Sequence, residues 1–313
     1  MPDDAHATTI SSRVIGLRDR LRTAGQNPRT RRLLLLGGAL VFVVTGVIAL
    51  SNLPPTNEPL AWSKVIVVAL LLAPLTAVLS AAEYRQTARL VGADVSWLHS
   101  VHVSLGSSLA NLLPLPGSYL LRSAALQASG VGRRSSITAP LGVGLAWIGV
   151  AGVLGGGWLI VSQPSVFAGA LLSAGLALMA LSTVVLIRPG KQQAAWSFIA
   201  KIWAIEAAKS VVAGARFFLL VAALNVAVSP GQGMALAMSS VLSTAVGVVP
   251  GGLGLREILA GAFAPLVALP ASVGIVAAVI NRIAEMVGLT LLSALMAAAG
   301  SLPEPQAAEQ SPG

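Results

Sequence analysis

The chain has 313 residues, of which 55% are hydrophobic and only 10% charged, and its mean hydropathy is +0.83. A soluble domain carries about a quarter charged residues, so this composition excludes one and defines an integral membrane protein. Cysteine is absent, which removes disulfides, thiolate metal sites and a cysteine nucleophile. The net charge of +9 falls on membrane flanks rather than in a stripe for nucleic acid.

Residues 1–31 read as a basic cytoplasmic tail, with Arg13, Arg18, Arg20, Arg22, Arg29, Arg31 and Arg32 ahead of the first apolar run. Its length, and the lack of a small-x-small site after the apolar run, do not fit a cleaved signal peptide. A helix needs roughly 20 apolar residues to cross a bilayer. Segments 33–51, 62–82, 137–161, 167–187, 203–226 and 272–299 meet that need.

Two further apolar regions do not. Residues 96–113 end in PLPG, and the return is about a dozen residues, only about 18 Å of helix, with Arg122 inside it. Residues 232–249 end in PGGLG, and the return, 255–269, opens on Arg256-Glu257. Both read as re-entrant helical hairpins, whose broken backbone is tolerated at membrane depth only against protein or a wet cavity. They share a spacing: Pro116-Gly117 precedes Arg122 as Pro250-Gly251 precedes Arg256, both Pro-Gly-x-x-x-x-Arg.

Loop charge sets the orientation. The amino end and the loops with Arg85 and Arg89, Arg133 and Arg134, and Arg188 and Lys191 go inside; SNLPPTNEPL, SQPS and SPGQG hold no Lys or Arg and go outside. The expectation is an all-α membrane protein with about six spans, both termini cytoplasmic. Domain 32–300 divides into halves 32–163 and 167–300, each reading span, span, hairpin, span in opposite orientation. Such inverted repeats place a substrate site at their interface near the midplane. The polar tails, 1–26 and 301–313, are expected to be largely disordered.

Ionisable residues inside spans cost roughly 2.5–3.5 kcal/mol each on the insertion scale. Glu206, Lys209, Ala213 and Arg216 are spaced to share one helical stripe. Arg256 and Glu257 open the second return, and Asn281, Arg282 and Glu285 sit in the last span. With Arg122 the cations Arg122, Lys209, Arg216, Arg256 and Arg282 exceed the anions Glu206, Glu257 and Glu285 by two. That sign suits an anionic head group, and arginine matches phosphate bidentately. After each Pro-Gly break a half-helix starts, and its free N–H groups favour an anion; Gly251, Gly252 and Gly254 permit close approach.

Plainer readings stand beside these. The Glu206/Lys209 and Arg282/Glu285 pairs also fit a bracing role, and Gly251-Gly252 also fits a structural break. Ser100, Ser104, Ser107 and Asn111 fit either a polar path or helix packing, whereas Gly149, Gly152 and Gly156 read as close packing. His99 and His102 lack the carboxylates of a metal site.

VVPGGLGLREILAG followed by AAVINRIAEMVGL resembles the membrane domain of the lysylphosphatidylglycerol synthase/flippase family. Pro250, Gly251, Gly252, Gly254, Glu257 and Arg282 match its pattern, and LLPLPGSYLLRSAAL is similar to its first hairpin, with Arg122 matching. The chain departs from it where GLAWIGVAG puts Trp147 near an expected arginine, and in having no acid near Ser118 or Tyr119. No counterpart of the family's soluble aminoacyl-transfer domain is expected, so the resemblance implies lipid translocation, not lipid aminoacylation. The expected substrate is a phospholipid or polyprenyl-phosphate-type lipid, bound through Arg122, Arg216, Arg256, Glu257, Arg282, Glu285 and the glycines. No metal, cofactor or nucleic-acid partner is expected, and a homo-oligomer is compatible with the pattern. The alternatives are a polytopic enzyme acting on a lipid-linked substrate and a non-transporting assembly partner.

Overall fold

A computed structural model describes residues 40, 42–52, 58–110, 117–162, 164–188, 195–246 and 253–298. Both tails, residues 33–39 and 41 of the first apolar run, Asn111, Pro250, Gly251 and Gly252 lie outside the described residues. Among the described residues every regular element is a helix. In chain order they are α1 (Phe42–Ser51) and α2 (Trp62–Leu90), then α3 (Trp97–Ala110), α4 (Gly117–Ala128), α5 (Arg133–Ser162), α6 (Val166–Ile187), α7 (Ala195–Ala223), α8 (Pro230–Val246), α9 (Leu255–Leu266) and α10 (Ala271–Ala298).

Four of these, α2, α5, α6 and α10, are long and apolar enough to cross a bilayer. α7 is as long, at 29 residues, but Lys201, Glu206, Lys209 and Arg216 load it with charge. The two Pro-Gly regions each form a pair of shorter helices, 14 then 12 residues for α3 and α4 and 17 then 12 for α8 and α9. Large side chains such as Leu70, Leu71, Val161, Leu176 and Leu295 point outward, as lipid-facing residues do. The interior holds many alanines beside larger side chains such as Tyr84, Leu126, Ile199 and Phe217, and a few charges.

Small residues are what allow the close packing. Lipid offers no hydrophobic drive between helices, so association relies on close backbone approach. Gly149, Gly152 and Gly156 line the face of α5 that meets α6: a methyl on Gly149 would stand 2.8 Å from the Met179 nitrogen, and one on Gly156 2.5 Å from that of Leu172. The close-packing reading of these glycines therefore holds. On α2, Ala73, Ala77, Ala81 and Ala88 are buried where the helix packs along α7 and α10. Its first half contains a π-helical turn, Val68–Leu72. Pro74 lies just beyond; it lacks an N–H and its ring crowds the preceding turn, which favours the wider bulge.

Polar clamps fix the ends. Ser229 N–H donates to Gln232 Oε1 at 2.7 Å, and Gln232 N–H donates back to Ser229 Oγ at 3.3 Å, a reciprocal capping box at the start of α8. Gln232 Nε2 then donates to the Val267 carbonyl at 2.7 Å, tying the start of α8 to the end of α9. Lys64 Nζ donates to the Ala222 carbonyl at 2.7 Å. That bond satisfies an orphan carbonyl at the end of α7.

Candidate functional site

Gly254 opens α9 with φ +77°, a left-handed conformation that only glycine adopts without strain. Its carbonyl accepts from the Ile258 N–H at 3.0 Å, which starts the helix. This places Glu257 in the first turn, where the helix dipole favours an acid. Glu257 is wholly buried, and Arg282 Nε donates to its Oε1 at 3.0 Å. Arg282 lies eleven residues into α10, about 16 Å along its axis, so the start of α9 abuts the middle of α10. Phe42 of α1 lies 5.8 Å from the Arg282 guanidinium, ring to cation.

Glu285 completes this cluster. Its Oε2 accepts from Arg216 of α7 and from Arg256 of α9, both at 3.1 Å, and Arg216 Nε also donates to Asn281 Oδ1 at 2.9 Å. Three helices thus bring Arg216, Arg256 and Arg282 against Glu257 and Glu285, a surplus of one positive charge. The spacing on α10 pairs Glu285 with Arg282; in the fold Glu285 receives Arg216 and Arg256, while Arg282 reaches Glu257 on α9.

Arg122 stands elsewhere. Its Nη1 donates at 2.6 Å to Oε1 of Glu83, a residue that sequence reasoning placed in the cytoplasmic loop. α2 runs on to Leu90 rather than ending near 82, so Glu83 is helical and buried. Its Oε2 accepts from Lys209 at 2.9 Å, and Lys209 also donates to Glu206 Oε1 at 3.0 Å. The Trp147 ring lies 5.9 Å from Lys209 Nζ. Arg122 and Lys209 are balanced here by Glu83 and Glu206, so this first cluster is neutral. The sequence-based surplus of two falls to one, all of it in the Arg216–Arg256–Arg282 cluster.

The stripe on α7 does carry its charges on one side, but it feeds both clusters. Glu206 and Lys209 serve the first, and Arg216, about 10 Å further along the axis, serves the second. Of the expected site residues, Arg216, Arg256, Glu257, Arg282 and Glu285 come together, with Gly254 at the helix start beside them. Arg122 belongs to the other group, and Gly251 and Gly252 are outside the described residues. Ser100, Ser104 and Ser107 are all buried on α3.

These features define a membrane-embedded protein whose described residues are helical and hold two buried ion clusters, one neutral and one cationic. The chain matches no protein-family model and no curated protein.

Proposed function

We propose that the protein is a transporter that moves a lipid with a phosphate-bearing head group across the cell membrane. What carries the reading is the meeting of Arg216, Arg256 and Arg282 from three helices with two acids, Glu257 and Glu285, between them among the described residues. Burying a net positive charge in a bilayer protein is costly unless a counter-ion arrives. Arginine forks suit a phosphate bidentately, and the start of α9, with Gly254 at its cap, adds a favourable dipole.

The topology belongs to the same proposal. α1, α2, α5, α6, α7 and α10 are the six spans, the pairs α3/α4 and α8/α9 are re-entrant hairpins, and both termini are cytoplasmic. The order span, span, hairpin, span then occurs twice in opposite orientation, with the head group held near the midplane and the tails left in lipid. The resemblance to the lysylphosphatidylglycerol synthase/flippase membrane domain agrees with it, and Arg282 and Glu257, two residues of that resemblance, are bonded partners.

The test is reconstitution in vesicles with tail-labelled phosphatidylglycerol and phosphatidylcholine, combined with mass spectrometry of lipids that co-purify. Faster reorientation of the anionic lipid is expected. Equal slow rates for both would sink the reading, and a covalently altered lipid would replace it with a lipid-modifying enzyme.

A further inference from the structure

Glu83 and Glu206 are both wholly buried, and Lys209 bridges them, yet their surroundings differ. Both oxygens of Glu83 are engaged, one by Arg122 and one by Lys209. Glu206 receives Lys209 on Oε1, while its Oε2 is buried with no hydrogen-bond partner. Two further buried polar atoms of α7 are unpartnered, Trp203 Nε1 and Ser210 Oγ. They stand three residues before and four after Glu206, which puts them on its face.

A carboxylate oxygen removed from water and given no donor is costly. A proton on that oxygen removes the charge that burial penalises. The charged groups facing Glu206 are Glu83 from α2, Arg122 from α4 and its own neighbour Lys209. α5 contributes the Trp147 ring. α6 and α8 contain no ionisable residue. The charges of α10 sit with the second cluster, and Lys64 of α2 is held at the far end of α7.

We propose that Glu206 is a proton-coupling site, loading a proton from the aqueous phase onto Oε2 and releasing it to water on the opposite side. The protonated state leaves Arg122 and Lys209 facing Glu83 alone, so the neutral cluster gains one positive charge. It then carries the same surplus as the Arg216–Arg256–Arg282 cluster, and each of the two clusters offers an anion the same net charge. Proton and anion load together and leave together, and no other group is transferred. This rests on the anionic-lipid reading and adds the coupling ion to it.

Two measurements on the whole purified chain test the site separately from the transport. The first is infrared difference spectroscopy between acid and neutral pH. A carbonyl stretch of a protonated, poorly solvated carboxyl is expected, lost in Glu206→Gln and moved in Glu206→Asp, where the carboxyl stands one methylene shorter. Should Glu206→Gln not fold, a band left unmoved in Glu206→Asp overturns the proposal. The second is the distribution of tail-labelled phosphatidylglycerol in vesicles under an imposed pH gradient. One coupled proton shifts the inner-to-outer ratio about tenfold per pH unit, and Glu206→Gln should abolish the shift. A Glu206-dependent band without any lipid movement leaves the proton site standing and removes the transport reading. Lipid movement that ignores the gradient, or the lack of a Glu206-dependent band, overturns the proton site and leaves the transport reading intact.

Discussion

Arg216 and Arg256 come from different helices and donate to the same atom, Oε2 of Glu285, each at 3.1 Å. Two guanidinium groups converging on one carboxylate oxygen repel each other, and Glu285 is what holds them together. Removing one member of a buried charged group typically costs 3–5 kcal/mol, because the charges left behind are uncompensated. Glu285→Gln is therefore expected to lose about that much stability. The loss should be smaller in detergent micelles doped with phosphatidylglycerol than in ones doped with phosphatidylcholine, since the anion substitutes for the missing carboxylate. Equal thermal shifts in the two lipids would argue against an anion site here.

Arg282→Lys separates charge from geometry. Arg282 uses Nε toward Glu257, and lysine keeps the charge while losing the planar fork. The variant is expected to fold and to move anionic lipid at least about tenfold more slowly, the weight of one charge-assisted hydrogen bond. A well-folded Lys variant with the normal rate would remove bidentate recognition at this position.

Much of this was legible in the sequence. The two Pro-Gly breaks gave paired short helices where they were expected, and the three-residue step from Glu206 to Lys209 gave an ion pair. Glu83 was not legible, because it stands where hydropathy falls, next to Arg85 and Arg89, and reads as loop. The helix continues because buried Tyr84, Thr87 and Ala88 still face neighbouring helices. The partners of Glu285 were hidden for another reason: Arg216 lies 69 residues away, and spacing along one helix reports only that helix's own neighbours.

The glycines of the second hairpin are expected to divide. Gly254 has φ +77°, so Gly254→Ala should destabilise by about 1–2 kcal/mol whatever its role in binding. Gly251→Ala and Gly252→Ala test the anion cradle. Thermal stability in detergent should change by about 1 kcal/mol or less while binding of phosphatidylglycerol is lost. Binding that merely follows the stability loss at each position would reduce the turn to a structural break.

Orientation is open to a direct check because the chain has no cysteine. In intact cells an impermeant thiol reagent should label Thr56→Cys and spare Arg133→Cys, the first residue of α5. The opposite pattern at either position would overturn the six-span arrangement.

The lone unbalanced charge beside α9 also gives the protein an electrical polarity. With the site empty, the Arg216–Arg256–Arg282 cluster carries one uncompensated elementary charge; with a singly charged phosphate diester in place it carries none. With the proton loaded on Glu206 at the same time, the surplus charge moves to the Glu83–Glu206 cluster, so the transmembrane voltage acts on empty and loaded protein alike, by about 2.3 kcal/mol per 100 mV for a charge crossing the full field. Cargo and proton together add no net charge, so under the transport reading the resting voltage does not favour either leg of the cycle, and the pH gradient alone sets the lipid distribution.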